Sequence, residues 1–393
     1  MEIFDLFSQT LSANGELIRY IACGLLGVML LCFFIQLGYY LGVYGGLPRF
    51  RNNRGIRVEV PSPPISVIVV VRENNYFFVE NGLQKLLEQD YPEFEVVVVD
   101  CSYDEEIGEM LSDMHARYAS LMHLTQIKSM HHQDHSIKLA ITVGIKAARY
   151  EHLLLTRADS YPMSDKWISL MAKGFITGDV VLGYCGIEPQ KGLGNRLMRC
   201  SRMATSVRWL SAAIRGHAYR GISYNLGYTK SLYFAHKGFN YLNMNIGDDD
   251  LFIQKIVSKE NVSVVMNPHA MVCQIPCGGL GWWNRARRYF SYAFRYYPLR
   301  ARWTTEIELE SRFLFFGTVI AVLAILPWPW PVVPLFFWGV RLLVVTTKMK
   351  RIARRLGERK LMWAYVLYDL YAPLAEAVMA FRRRWRPNRA IWR

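Results

Sequence analysis

The hydrophobic pattern changes character three times along the chain. Residues 20–44 carry no charged side chain and are long enough to cross a hydrocarbon layer of ~30 Å. The run exceeds a signal-peptide core and no small-residue cleavage site follows it, so it predicts an uncleaved transmembrane helix. From residue 65 the apolar runs become short and β-branched. Residues 65–71 and 94–100 read as fully buried parallel strands. A helix over 76–89 places Leu83, Leu86 and Leu87 on one face and is broken by Tyr91-Pro92. A helix over 104–118 opens with an acidic turn that suits its dipole. A third strand over 122–127, a helix over 138–148 and a strand over 152–156 complete the series. This β-α-β-α order predicts an α/β domain with a mostly parallel central sheet.

The third regime begins at residue 313. Residues 313–340 are again uncharged but are interrupted by Pro327, Pro329 and Pro331. Charge distinguishes one kinked helix from a hairpin. Arg49, Arg51, Arg54 and Arg57 follow the first apolar run, whereas residues 1–17 hold only acidic charge. The excess of Lys and Arg on cytoplasmic segments then predicts an N-terminus outside and residue 50 onward in the cytoplasm. Seven Lys or Arg over residues 348–360 belong on the same side, and only a hairpin, with spans near 313–328 and 331–347, returns the chain there. Residues 361–381 are apolar and aromatic but contain Asp369, Pro373 and Glu376, with Arg382, Arg383, Arg384 and Arg386 following. They read as an interfacial or re-entrant helix. The expected organisation is an N-terminal membrane helix over 1–48, a cytoplasmic α/β domain over 49–300 with an amphipathic segment over about 278–300, and a C-terminal membrane region over 301–393. The expected setting is an integral membrane protein, with a bacterial inner membrane as the expected location.

The net charge of +15 flanks the apolar segments, which points to anionic lipid rather than nucleic acid. Seven cysteines suggest no disulfide framework, and Cys273 and Cys277 lack a second pair at zinc spacing. Within the membrane segments Gln36 and Arg341 stand as isolated polar residues, too few for a transport path.

The candidate chemistry lies in acidic residues at strand ends. Ligands of such sheets bind at the carboxyl ends of the strands, where Asp100 and Asp159 fall. A lone Asp there is as readily a turn or cap residue. Gly247-Asp248-Asp249-Asp250-Leu251 is harder to explain as a helix start, since three adjacent like charges repel and one suffices as a cap. One carboxylate to hold a divalent metal on a diphosphate and another to accept a proton are what sugar transfer from a nucleotide donor requires.

Taken together, residues 64–289 resemble a membrane-anchored family 2 glycosyltransferase with the GT-A fold. The residues that carry the likeness are Pro64-Ile-Ser-Val-Ile-Val-Val-Val71-Arg72-Glu-Asn, the stretch from Leu87 through Asp90-Tyr91-Pro92 to Asp100 and Asp104, Lys138 with Ala140, Thr156-Arg157-Ala158-Asp159-Ser160-Tyr161-Pro162, Gly221-Ile-Ser-Tyr-Asn225-Leu-Gly-Tyr228, the Asp248 cluster, and Arg285-Ala-Arg-Arg288-Tyr289. The resemblance implies that Arg72, Asp100 and Lys138 contact the nucleotide donor. It implies that Asp159 ligates Mg²⁺ or Mn²⁺, and that Asp248, with Asp249 as the alternative, is the catalytic base. Asn225 falls on the acceptor side, and Arg285, Arg288 and Tyr289 close over the diphosphate and acceptor; a basic amphipathic helix on the bilayer reads those arginines equally well. The chain departs from the family where Arg157 replaces the first Asp of the Asp-x-Asp motif, which either places a guanidinium at the phosphates or marks lost activity. Ser223 and Tyr289 replace a Gly and a Trp. The implied reaction is inverting transfer of a sugar from a nucleotide diphosphate to a lipid-linked or glycan acceptor in envelope polysaccharide or glycolipid assembly. A processive polysaccharide synthase, expected to have more spans, and an inactive glycosyltransferase-like scaffold are the alternatives.

Overall fold

The computed structural model describes residues 16–50, 62–127, 136–242, 249–327 and 329–385. In chain order the helices are α1 (Glu16–Leu37), α2 (Leu83–Leu87), α3 (Glu105–Arg117), α4 (Ile137–Ala147), α5 (Trp167–Ala172), α6 (Leu193–Ile214), α7 (Lys230–Ala235), α8 (Asp250–Ile256), α9 (Leu280–Ser291), α10 (Leu299–Ile325), α11 (Val332–Arg355) and α12 (Met362–Trp385). The strands are β1 (Ile65–Val71), β2 (Phe94–Asp100), β3 (Met122–Gln126), β4 (His152–Arg157), β5 (Ser160–Pro162), β6 (Val180–Gly183), β7 (Cys185–Ile187), β8 (Leu226–Thr229), β9 (Val262–Val265) and β10 (Val272–Gln274).

Seven strands form one sheet in the order β3-β2-β1-β4-β8-β6-β9. Every residue of β1 and β2 is buried, as expected of strands covered on both faces. β1 pairs in parallel with β2 and β4, setting Val71 opposite Asp100 and Val70 opposite Arg157. These three strands therefore end on one edge. β8 runs antiparallel between β4 and β6, with Leu226 opposite Leu155, so the segment entering β8 arrives at that same edge. A small second sheet, β5-β10-β7, sits just beyond Asp159 because β5 follows it directly. The helix expected over 76–89 is divided into a π-helical turn, Phe78–Gly82, and α2.

α1 and α10 pack antiparallel: Tyr39 Oη donates to the Thr304 carbonyl, Gln36 Nε2 to the Glu308 carbonyl, and Phe33 lies against Phe315. α11 runs alongside α1 in the same direction, with Phe337 against Phe33 and Arg355 donating to the Phe50 carbonyl. The chain thus enters and leaves this bundle beside the sheet domain at residues 50, 299 and 355. α10 and α11 run in opposite directions, and α10 begins at Leu299, well before the residue 313 expected for the first span of a hairpin. Tyr20–Arg49 and Val332–Arg355 are long and apolar enough to cross a bilayer; α10 is not among them because its first half is charged.

Two of those charges, Glu308 and Arg312, are buried. Arg341 bonds both oxygens of Asp369 and donates to Gln36 Oε1 at 3.2 Å; Arg312 ion-pairs with Glu308 and lies 3.6 Å from Asp369. Gln36 and Arg341, isolated in the sequence, are therefore members of one buried network, because their partner Asp369 arrives on a different helix. α12 is continuous through Pro373 and packs against α6, α10 and α11, along the seam between the sheet domain and the bundle.

Candidate active site

The site is built at the carboxyl edge of the sheet. Asp100, the last residue of β2, is buried; its Oδ1 accepts from the Ser102 backbone N–H at 2.9 Å and the Ser102 hydroxyl at 2.7 Å. Arg72 follows β1, and its backbone N–H donates to Asn75 Oδ1. The Arg72 guanidinium is close enough to act electrostatically on Cys101, whose thiol is nonetheless pushed up to about 11, mainly by burial. Arg72, Asp100 and Cys101 therefore share one corner. Lys138 stands in the first turn of α4, which Ser136 caps, and its Nζ donates to the Leu242 carbonyl at 3.0 Å. That contact ties α4 to the segment leading to Asp248. Asp248 itself lies outside the described residues.

The second half of the site centres on Tyr224. Its hydroxyl donates to Asp159 Oδ2 at 2.8 Å, and Gln274 Nε2 donates to the same oxygen at 2.8 Å. Both bonds fall on Oδ2, so Oδ1 carries none among the described residues. The guanidinium groups of Arg157 and Arg202 stand over the Tyr224 ring at 5.2 and 5.6 Å, within cation–π range. Burial, followed by the Asp159 charge, holds the Tyr224 phenol well above its ordinary value, so this hydroxyl stays a donor. Arg157 Nε donates to Ser223 Oγ at 2.7 Å, and the Ser223 backbone N–H donates to Asp249 Oδ2 at 3.3 Å. Ser223 thus joins the strand-end motif to the acidic cluster. Arg157, Asp159 and Asp249 are brought together through two consecutive residues of the β8 entry segment.

Asp250 has a different function. Its Oδ1 accepts from the Leu251 N–H, and its Oδ2 accepts from the Tyr297 hydroxyl, so it fixes the start of α8 against the segment before α10. Asn225, expected on the acceptor side, lies in the core. It is completely buried; Oδ1 accepts from Trp167 Nε1 at 3.0 Å, and Nδ2 donates to the Tyr184 and Ala270 carbonyls at 2.8 and 2.9 Å. Gly183 makes room for it, since a Cβ there would meet the Asn225 amide at 2.5 Å. Both amide hydrogens are thereby committed to holding β8 to the small sheet.

Arg285 and Arg288 lie on α9 but make no hydrogen bond or ion pair with Asp159 or Asp249 among the described residues. Arg287 between them is ion-paired with Glu376 of α12. The Tyr289 side chain lies outside the described residues. Sequence reasoning missed Tyr224, Gln274 and Arg202. Tyr224 lies within a segment that the sequence singles out, whereas Gln274 and Arg202 reach the site only through tertiary folding.

Residues 66–239 match the family described as "Glycosyl transferase family 2". They form a family 2 glycosyltransferase domain. The glycosyltransferase resembles the mannosyltransferase PcManGT of Pyrobaculum calidifontis, solved with GDP-Man and Mn²⁺, at 17% identity and a TM-score of 0.54, covering 90% of this chain and 99% of that one. A weaker likeness, at 16% identity and a TM-score of 0.42, is to residues 1–349 of S. aureus TarS solved with UDP-GlcNAc, covering 82% and 92%. No curated protein sequence matches the glycosyltransferase. The first likeness bears out the GT-A fold.

No group of three or more His, Cys, Asp or Glu side chains is gathered to hold a metal among the described residues. The donors present fit a different arrangement. Mg²⁺ and Mn²⁺ are commonly held by one or two carboxylates with substrate phosphates and water completing the shell, and Asp159 offers one carboxylate oxygen without a competing hydrogen bond.

Proposed function

We propose that this glycosyltransferase inverts the anomeric centre as it moves a sugar from a nucleotide diphosphate to a membrane-associated acceptor, lipid-linked or glycan, in envelope polysaccharide or glycolipid assembly. The observation that carries this reading is the convergence of Asp100, Arg157, Asp159 and Asp249 at one sheet edge, in a domain packed against helices that include two long and apolar enough to cross a bilayer. Asp100 and Arg72 would hold the nucleoside. Asp159 would hold a divalent cation, which when bound supplies charge to the leaving diphosphate. Arg157 stands where a second metal-binding carboxylate would be expected, so part of that charge stabilisation is built into the protein.

Asp248 is the proposed base, taking the proton from the acceptor hydroxyl as the glycosidic oxygen bond forms and the bond to the nucleotide diphosphate breaks. In-line displacement from the opposite face gives inversion. Asp249 is the alternative base; its bond to the Ser223 N–H favours a positioning role. The domain would face the cytoplasm with the N-terminus outside. The test is nucleoside-diphosphate release by purified full-length protein across uridine and guanosine diphosphate sugars, with Mn²⁺, with Mg²⁺ and with chelator. Release that requires metal and is lost in Asp159→Asn is expected. Metal-independent release, unchanged in that variant, would overturn the assignment of Asp159.

A further inference from the structure

Lys348, Arg351, Arg354 and Arg355 recur three to four residues apart near the end of α11, the spacing that places side chains on one face of a helix. These residues line a pocket of about 350 Å³, whose other wall is Gly45, Pro48 and Arg49 at the end of the first apolar run. The volume falls within the range of small-molecule sites, ~300–1,000 Å³. Five basic residues therefore border one space, and no acidic residue among the described residues lines it. Gly45 keeps the opposite wall bare, since a Cβ there would collide with the Leu41 carbonyl oxygen.

Three features distinguish this pocket from scattered surface charge. Among the described residues none of the five is ion-paired. Glu358, the acid that follows them on the chain, is committed elsewhere: its carboxylate accepts from Tyr184 Oη at 2.9 Å and from Arg199 Nη2 at 2.6 Å. Like charges at helical spacing repel, so an anion among them would stabilise this end of α11. Arg355 supplies the second feature. One of its terminal nitrogens donates to the Phe50 carbonyl at 2.7 Å, but its Nε is buried without a hydrogen-bond partner, and such a donor calls for a ligand, ion or water. The third is position. Both walls are the ends of Tyr20–Arg49 and Val332–Arg355, the two helices long and apolar enough to cross a bilayer, and helix ends of that kind meet the headgroup layer.

We infer that this pocket seats the headgroup of a phospholipid that carries two phosphates, held among Arg49, Lys348, Arg351, Arg354 and Arg355. Basic pockets between membrane helices select such headgroups, because closely spaced phosphates engage several cations at once through charge-assisted hydrogen bonds. None of the lining residues belongs to the candidate active site, so this lipid is neither donor nor acceptor of the sugar. It ties the end of the first apolar run to the end of α11, where Arg355 already bonds the Phe50 carbonyl. The joint so fixed is the one from which Glu358 reaches Tyr184 and Arg199 of the sheet domain.

The experiment is native mass spectrometry of the full-length protein in detergent, titrated with diphosphatidylglycerol or with phosphatidylglycerol at equal phosphate charge, and with pyrophosphate as competitor. Diphosphatidylglycerol is expected to bind saturably, about tenfold more tightly than phosphatidylglycerol, and to resist displacement by pyrophosphate. Arg351→Gln/Arg354→Gln, at exposed positions of α11, should weaken binding on the order of tenfold. Arg49→Gln, on the opposite wall, should weaken it as well. Lys350→Gln removes the same charge from α11 outside the pocket and should leave binding unchanged. Equal binding of the two lipids, or an equal loss in Lys350→Gln, would overturn the inference and leave attraction to surface charge alone. Ready displacement by pyrophosphate would overturn the lipid in favour of a soluble polyphosphate.

Discussion

Replacing Asn225 separates a structural role from a substrate role. The Asn225→Leu side chain keeps the volume but removes three buried hydrogen bonds, leaving the Trp167 indole N–H and the Tyr184 and Ala270 carbonyls unpaired. Each stranded group costs about 1–3 kcal/mol. With partial relaxation the total is about 4 kcal/mol, a large share of the ~5–15 kcal/mol by which domains are stable. For a domain of this size, ~1 kcal/mol shifts the melting temperature by ~2–4 °C, so a fall of roughly 8–16 °C is expected. Thermal unfolding of the detergent-solubilised protein, followed by tryptophan fluorescence, measures it. Any folded fraction should bind acceptor with an ordinary KM. A melting temperature within 2 °C of the parent's, together with a raised acceptor KM, would refute the reasoning and return Asn225 to the substrate.

His152 predicts an acid limb of stability. Burial lowers its pKa, so the unfolded chain takes up the proton first; stability is level above pH ~6.5 and falls as pH drops through the folded value. Melting temperatures from pH 5.5 to 7.5 should lose that slope in His152→Gln; an identical slope would refute this. Cys277 is exposed, and its thiol is raised by burial and then by the Asp159 carboxylate. Asp159→Asn should therefore speed alkylation of Cys277 at pH 8, read by peptide mass spectrometry, while buried Cys101 stays unlabelled; an unchanged rate would separate the two residues. Arg341→Met leaves Asp369, among the described residues, only the 3.6 Å contact with Arg312 and should cost ~3–5 kcal/mol, much of it regained in Arg341→Met/Asp369→Leu. Equal melting temperatures for the single and double variants would argue against a coupled pair.

The parallel half of the sheet was legible because Ile65–Val71 and Phe94–Asp100 are β-branched runs buried on both faces, and such runs admit few other readings. Helix α3 was legible from its acidic first turn, Glu105 and Glu106, which suits its dipole. β8, β5, β7 and β10 were not. They span only three or four residues, and their pairing is set by partners distant in sequence. The same holds for the site. Asp100 and Asp159 stand at strand ends that the pattern itself marks. Gln274 and Arg202 gain meaning only when β10 and α6 are packed beside Asp159. Arg341 looked solitary because its partner lies on another helix. The burial of Asn225 was not legible, because a buried amide that holds a turn and an amide that faces a substrate leave the same mark in a linear motif.

The central claim is transfer by an acidic pair, one residue at the metal and one at the acceptor hydroxyl. The most direct test is transfer of labelled sugar from the nucleotide donor that the release assay identifies into a membrane lipid extract, comparing the full-length protein with Asp248→Asn. The account predicts metal-dependent labelling of the lipid fraction with inverted anomeric configuration, abolished in Asp248→Asn while donor binding persists. Retained configuration, or near-normal transfer in that variant, would contradict it.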